Sequence, residues 1–195
     1  MRIIAGKFGS QPLAAPKGWK TRPTSDRLRE TLFNVLSPRI QGAIFADLYA
    51  GTGAAGIEAL SRGARRVYFA ENAIPPLAAL HGNLTKLGIG PEAQVEAAGT
   101  LPLLRRLTQE GVQLDIVFLD PPYSDRRAYE DTLQLLTDQP LLGPEGIVIA
   151  EHSSRLRPPL GVAGLQPYRT LRQGEAALTF FHGVPTEEPP PIFIG

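Results

Sequence analysis

The segment Asp120-Pro121-Pro122-Tyr123 is suited to bind a planar group that carries N–H donors. It follows the apolar run IVFL, which predicts that it lies at the end of a buried strand. Its two prolines fix the backbone and remove both N–H donors, so the segment offers carbonyl oxygens and one carboxylate. Asp120 and the Pro121 carbonyl suit the two N–H bonds of an exocyclic amino group, and Tyr123 suits stacking on the base. We therefore predict catalytic roles for Asp120, Pro121, Pro122 and Tyr123.

A glycine-rich turn, DLYAGTGAAG, follows an earlier apolar run and has the spacing of nucleotide-binding turns. A P-loop is excluded because no Gly-Lys-Ser/Thr follows the glycines. Asp47, placed before the glycines, would repel a pyrophosphate but suits a cationic amino acid group. Glu71, which closes the next apolar run, suits the two ribose hydroxyls of an adenosine-containing cofactor. Together the two acids favour S-adenosylmethionine over a dinucleotide.

Short apolar runs alternate with helical patterns from residue 40 onward, which is typical of βαβ units in a mostly parallel sheet. The prediction is a Rossmann-like α/β fold with seven strands, the last two forming an antiparallel hairpin through Gly174. One helix is expected to begin near Pro75 and Pro76 and to stop at Gly88. The predicted strands are Ala43 to Tyr49, Arg66 to Glu71, Gln94 to Ala97, Asp115 to Asp120, Gly146 to Glu151, Pro167 to Arg172 and Ala176 to Phe181.

The N-terminal fifth of the chain is basic. Residues 1–39 carry eight basic and two acidic side chains, which gives a net charge of +6. Residues 40–195 carry twelve basic and seventeen acidic side chains, which gives a net charge of −5. Phosphate contacts supply much of the affinity for nucleic acid, so a polyanion is expected to meet this part first, although a solvated basic surface is the alternative. We expect a small β-hairpin in residues 1–16 and a helix capped by Thr24 or Ser25, with apolar positions at Leu28, Leu32, Val35 and Leu36.

Composition removes several classes of function. The absence of cysteine excludes disulfides, thiolate metal sites and cysteine nucleophiles, and the three histidines lack the spacing of a helical zinc motif. We therefore predict no metal. No stretch is long and apolar enough to span a membrane and the first residues lack a secretory pattern, so a cytoplasmic protein is expected. We also expect a monomer.

The order DLYAGTGAAG, Glu71 and DPPY resembles the S-adenosylmethionine-dependent amino-methyltransferases. The segments RIIAGKFGSQPL and RPTSDRLRETLFNVL, placed ahead of the glycine turn, resemble more narrowly the RsmD family. Those proteins are bacterial 16S rRNA (guanine-N2)-methyltransferases that act on the small ribosomal subunit or its precursor. The resemblance covers nearly the whole chain before Pro185. It implies a methyltransferase domain in residues 25–184, a basic arm in residues 1–24 that contacts RNA, and a proline-rich tail in residues 185–195.

The resemblance also implies roles for individual residues. The methionine part of the cofactor is expected at Asp47 and the turn, the ribose at Glu71, and the target guanine at Asp120 to Tyr123. The cofactor-binding set is Asp47, Tyr49, Ala50, Gly51, Thr52, Gly53, Glu71, Asn72, Ala98 and Gly99. The RNA-binding set is Arg2, Lys7, Phe8, Lys17, Lys20, Arg22 and Arg27, with Trp19 as a further aromatic that could stack on a base.

One position departs from the family pattern. Relatives usually carry Asp or Asn near the end of the third strand, whereas this chain reads Glu96-Ala97-Ala98-Gly99. The adenine contact is therefore expected to come from the backbone or from Glu96. Three other functions compete with the main prediction: DNA adenine-N6 methylation, protein glutamine methylation, and nucleic-acid binding without catalysis.

Overall fold

In the computed structural model, which describes residues 1–16, 25–155 and 164–183, seven strands form one sheet. They are β1 (Ile44–Leu48), β2 (Arg66–Ala70), β3 (Ala93–Glu96), β4 (Leu114–Leu119), β5 (Leu142–Ser153), β6 (Leu165–Gln173) and β7 (Ala176–Gly183). The strand order is β3-β2-β1-β4-β5-β7-β6. Strands β1 to β5 pair in parallel, and β7 runs antiparallel to both β5 and β6. The predicted mostly parallel sheet with a closing hairpin is confirmed.

Five helices cover the two faces of this sheet in the described part of the chain. They are α1 (Asp26–Leu36), α2 (Ala54–Ser61), α3 (Ile74–Lys86), α4 (Thr100–Gln109) and α5 (Arg126–Asp138). Helices α1, α2 and α3 share one apolar core with the N-terminal residues Ile3 and Leu13, and α4 and α5 share the other. Within the residues described, no helix has both the length and the apolar character needed to cross a membrane.

The helix ends follow from local chemistry. The Ser25 hydroxyl accepts the Leu28 N–H at 3.1 Å and so begins α1, as one of the two predicted caps. Helix α3 has prolines in its first turn, where a missing N–H costs least, and Gly88 ends it in the left-handed region at φ +64°. The predicted start and stop of this helix are therefore confirmed.

Some residues with predicted roles lie outside the part of the chain that the structure describes. They are Lys17, Trp19, Lys20, Arg22, Thr24 and the tail from residue 185.

Two predictions about strands need correction. Strand β5 begins at Leu142, four residues before the predicted Gly146, because Leu142 pairs with Leu114 ahead of an irregularity in the β4–β5 ladder. Pro144 lies within that stretch, and proline is tolerated where the ladder is broken. The N-terminal residues form a single antiparallel bridge between Arg2 and Pro12 rather than a hairpin of two strands.

The N-terminal residues are attached to α2 by buried polar groups. The carboxylate of Glu58, which is fully buried, accepts the backbone N–H groups of Ile4 at 2.7 Å and Ala5 at 3.1 Å. Arg62 donates to the same carboxylate at 2.7 Å, and the guanidinium of the buried Arg29 lies 3.8 Å from it. A buried carboxylate needs such partners, so the arm and α2 depend on each other.

The absence of a side chain at Gly56 should contribute to stability, because the Phe69 ring packs against this position. An ideal Cβ there would lie 2.2 Å from the Phe69 ring, so we expect Gly56→Ala to lower the free energy of unfolding by about 1–3 kcal/mol. The control is Gly82→Ala in α3, where a Cβ meets nothing within 4 Å. That change should raise stability by about 0.5–1 kcal/mol, because alanine favours helix. Urea denaturation of both variants checks this, and equal effects would contradict it.

Candidate active site

The candidate site lies where the strand order reverses. β1 is flanked by β2 on one side and β4 on the other, so the connections leaving β1 and β4 diverge and leave a crevice at the carboxyl edge of the sheet. Ligands of open α/β sheets bind in such crevices. The glycine turn follows β1 and the Asp-Pro-Pro-Tyr segment follows β4, so the two predicted motifs lie on either side of the same crevice.

The glycine turn is held from β2 by Glu71. One carboxylate oxygen accepts the Gly51 N–H at 2.8 Å, and the other accepts the Ala73 N–H at 2.7 Å. A carboxylate has about four acceptor positions, so two remain for hydroxyl groups. Glu71 therefore fixes the turn and the approach to α3 and can still accept hydrogen bonds from a ligand.

Asp47, within β1, holds the end of the glycine turn by a hydrogen bond. Its side chain is 2% exposed, and its carboxylate accepts the Gly56 N–H at 2.7 Å. Burial raises its pKa to about 7, an increase that the Gly56 hydrogen bond and Arg29 oppose and the charge of Glu71 reinforces. The carboxylate that sequence reasoning assigned to the cofactor therefore also holds the first turn of α2.

The glycines of this turn have different roles. An added Cβ at Gly51, where φ is +57°, would meet nothing within 4 Å, so open space lies in front of this residue. At Gly53 an added Cβ would lie 2.3 Å from the Leu80 side chain, so that glycine is required for packing. Tyr49 has a φ of +65°, and its hydroxyl lies 2.9 Å from that of Thr132. The turn thus has open space at Gly51 and is fixed on either side of it, by the Tyr49 hydroxyl contact and by the packing at Gly53.

Asn83 connects the turn with the N-terminal arm. It is fully buried in α3, and its amide donates to the Thr52 carbonyl at 3.0 Å and to the Ala14 carbonyl at 3.2 Å. Its side-chain oxygen accepts the Ala14 N–H at 2.8 Å. No role was predicted for Asn83, because a polar residue in a helical pattern does not indicate which distant backbone groups it contacts.

The end of β3 carries Glu96, the residue at which this chain departs from the family pattern. Glu96 accepts the Ala98 N–H at 3.0 Å, and its carboxylate lies 3.4 Å from the Arg106 guanidinium. Gly99 is buried with φ +96°, and an added Cβ there would lie 3.4 Å from the Asn72 amide. Asn72 and Gly99, two members of the predicted cofactor-binding set, are therefore neighbours.

The Asp-Pro-Pro-Tyr segment begins as soon as β4 ends. The Asp120 N–H donates to the Leu48 carbonyl at 3.3 Å, which ties this segment to the end of β1. Pro121 is buried and Pro122 is exposed, and the Pro122 carbonyl accepts the Asp125 N–H at 2.7 Å. The Tyr123 hydroxyl donates to the Glu151 carboxylate at 3.0 Å. The four predicted catalytic residues thus form one short loop beside the glycine turn.

Glu151 and Tyr129 pack against this loop, and neither was predicted from the sequence to belong to the site. Glu151 is 3% exposed and lies two residues before the end of β5, and the Tyr129 hydroxyl donates to its backbone carbonyl at 2.6 Å. The one available signal was that Glu151 closes the predicted strand next to that of Asp120.

Of the predicted RNA-binding residues, the four that the structure describes lie in the N-terminal segment and α1. Arg2, Lys7 and Arg27 are exposed, and the Lys7 ammonium lies 5.1 Å from the centre of the Phe8 ring. Phe8 is half-buried and packs against the core shared by α1, α2 and α3. Part of its ring is therefore used in packing.

Comparison with known proteins identifies the family. Residues 1–182 match the family model described as Conserved hypothetical protein 95. Ribosomal RNA small subunit methyltransferase D from Escherichia coli is 35% identical over 181 residues, which cover 93% of this chain and 89% of that protein. The chain belongs to the RsmD family of methyltransferases.

Solved structures agree with this assignment. The yhhF structure from Escherichia coli has a TM-score of 0.80 and 35% identity, and the match covers 94% of this chain and 97% of that one. The SMU.776 structure, complexed with SAH, is 13% identical to this chain and has a TM-score of 0.63. That match covers 79% of this chain and 49% of the other, and it shows that the two share a fold.

For this RsmD family member, the buried Asp47 should make stability depend on pH. Its folded pKa of about 7 lies above the value of 3.8 for an exposed group, so the folded state holds this proton more tightly. The contribution is fully present below pH 4 and is lost as pH rises through 7. We expect the free energy of unfolding to fall between pH 5 and 8 by about 2 kcal/mol more in the wild type than in Asp47→Asn.

Urea denaturation at both pH values measures this difference. Asp131→Asn, which removes an exposed carboxylate of α5, is the control and should keep the pH response of the wild type. Equal slopes for Asp47→Asn and the wild type would show that Asp47 titrates normally.

Proposed function

We propose that this protein transfers a methyl group from S-adenosylmethionine to the exocyclic N2 of a guanine in 16S rRNA of the small ribosomal subunit. The observation that carries the proposal is the juxtaposition of two sites across β1 and β4: a glycine turn held by Asp47 and Glu71, and an acceptor loop that begins at Asp120. Family membership supports the same reaction, since the curated relatives are named as methyltransferases of small-subunit ribosomal RNA.

The cofactor side fits an adenosine linked to a cationic amino acid. The space in front of Gly51 gives a ligand access to the backbone, and Glu71 retains acceptor positions for ribose hydroxyls. Asp47 lies beneath the turn, where its ionised form favours a nearby cation. Bound S-adenosylmethionine supplies a methyl group on a positively charged sulfur, already activated for displacement. The chain's own residues therefore need to position the acceptor and manage its proton.

The target side fits an amino group that must become nucleophilic. The lone pair of the guanine amino nitrogen is delocalised into the ring, and acceptors on both N–H bonds favour the pyramidal form in which that pair is available. Asp120 and the Pro121 carbonyl are those acceptors in the proposal, and Tyr123 stacks on the base. The nitrogen becomes acidic once methylated and loses its proton to Asp120 or to water, so no stronger base is required.

Methyl transfer with parallel substrates tests this proposal. Labelled S-adenosylmethionine is offered with unmodified small subunits, free 16S rRNA or duplex DNA, and the nucleosides are identified by mass spectrometry. We expect N2-methylguanosine from RNA or subunits. N6-methyladenine from DNA would replace the proposal with the adenine reaction.

The carboxylate of Asp120 should be needed for transfer but not for cofactor binding. Asp120→Ala removes an acceptor for the amino group, so we expect kcat/KM to fall by at least about a hundredfold. The dissociation constant of S-adenosylhomocysteine, measured by calorimetry, should stay within about twofold. Asp131→Asn on the exposed face of α5 is the matched control and should transfer methyl normally. Unchanged turnover in Asp120→Ala would remove this residue from the mechanism.

The basic arm should govern RNA affinity. Lys7 and Arg27 are exposed, so we expect Lys7→Glu and Arg27→Glu to raise the KM for RNA and to weaken its salt dependence. Arg105→Glu, an exposed residue of α4 on the opposite face of the sheet, is the charge-matched control. Methylation rates at several salt concentrations measure the effect. Identical KM values for arm and control variants would place the RNA elsewhere.

A further inference from the structure

Glu151 is an enclosed carboxylate beside the target loop. Leu119 of β4 pairs with Ala150 of β5, so the residues that follow them, Asp120 just beyond β4 and Glu151 still within β5, lie side by side at the same level of the sheet. Glu151 is 3% exposed, whereas Asp120 is half-buried. Enclosing a carboxylate costs free energy unless it is hydrogen-bonded, so its retention here needs a reason.

Its carboxylate fixes the Tyr123 ring. The Tyr123 hydroxyl donates to the Glu151 Oε1 atom at 3.0 Å, which is within ordinary hydrogen-bond length. Tyr123 is half-buried and follows two prolines, so this contact at the tip of its ring restrains the side chain where the backbone cannot.

The backbone carbonyl of Glu151 accepts from Tyr129, whose hydroxyl lies close to the start of the same loop. The Tyr129 hydroxyl lies 2.6 Å from the Glu151 carbonyl and 3.3 Å from the Pro121 carbonyl. A phenol has one proton, which goes to the nearer acceptor, so the Pro121 carbonyl keeps its acceptor capacity. Burial, reinforced by Asp120, raises the pKa of Tyr129, and the hydroxyl therefore keeps this proton.

We propose that Glu151 is a positioning residue for the target base, which acts by holding the Tyr123 ring through its hydroxyl. This inference rests on the proposed function, in which the loop from Asp120 to Tyr123 holds the target guanine. A stacked base must lie within a few tenths of an ångström of its reactive geometry, and a ring fixed at both ends provides that precision better than one fixed only at its backbone.

A double-mutant cycle tests the proposal. The variants are Tyr123→Phe, Glu151→Ala, their combination, and Glu151→Gln, which keeps an acceptor oxygen of the same size. Glu145→Gln is the matched control, because Glu145 lies in the same strand with a side chain that is 87% exposed. The measurements are kcat and KM for N2-methylguanosine formation on unmodified small subunits, the dissociation constant of S-adenosylhomocysteine, and thermal melting.

Three results are expected. Tyr123→Phe and Glu151→Ala should each lower kcat by about tenfold or more, with KM and cofactor affinity nearly unchanged. The double variant should be no worse than Glu151→Ala alone, because both changes remove the same contact. Glu151→Gln should retain kcat within about threefold of the wild type and melt as the wild type does, which keeps the test valid if the alanine variant does not fold.

Other results would overturn the assignment. Losses that multiply in the double variant would mean that Glu151 acts independently of the Tyr123 hydroxyl. A Glu151→Gln variant that folds but loses tenfold or more in kcat would mean that the charge matters rather than the acceptor. Both outcomes leave the proposed function intact if the wild type forms N2-methylguanosine. A wild type that forms none overturns the proposed function and this inference with it.

Discussion

The whole site depends on where the backbone N–H groups of the turn after β1 find acceptors. A sharp glycine turn leaves several donors without partners from the sheet or helix ladders, and buried donors must be paired. Two carboxylates fill this need: Asp47 receives the Gly56 N–H from within β1, and Glu71 receives the Gly51 N–H from the end of β2. The turn is therefore fixed relative to two strands of the sheet.

The same constraint makes the N-terminal arm part of the site. Asn83 joins the Ala14 backbone to the Thr52 carbonyl in the glycine turn, and Glu58 on the following helix takes the N–H groups of Ile4 and Ala5. The arm thus contacts the elements that form the cofactor cradle. In the proposed function, the segment that meets RNA and the turn that meets the cofactor share one set of buried hydrogen bonds.

The sequence predicted the elements and the residues whose chemistry is local. Alternating apolar runs predicted all seven strands, and the Asp-Pro-Pro-Tyr segment was placed correctly because it directly follows such a run. The start of β5 was missed because Pro144 resembles a loop residue when its irregular pairing with β4 is unknown. Glu151, Tyr129 and Asn83 were missed because each makes a hydrogen bond to a group at least 22 residues away in the chain, which no local pattern indicates.

Asp47 shows why a site of this kind is not built for stability alone. With a pKa of about 7, a large share of this carboxylate is ionised at neutral pH in a place where burial disfavours the charge. An asparagine would present an oxygen to the Gly56 N–H without that cost. Arg29 offsets part of the charge and Glu71 adds to it. If the proposed cofactor brings a cation to the turn, that charge lowers the pKa of Asp47 and shifts it further toward the ionised form, so part of the free energy lost to the buried charge in the empty protein is recovered as affinity and selectivity for a positively charged ligand.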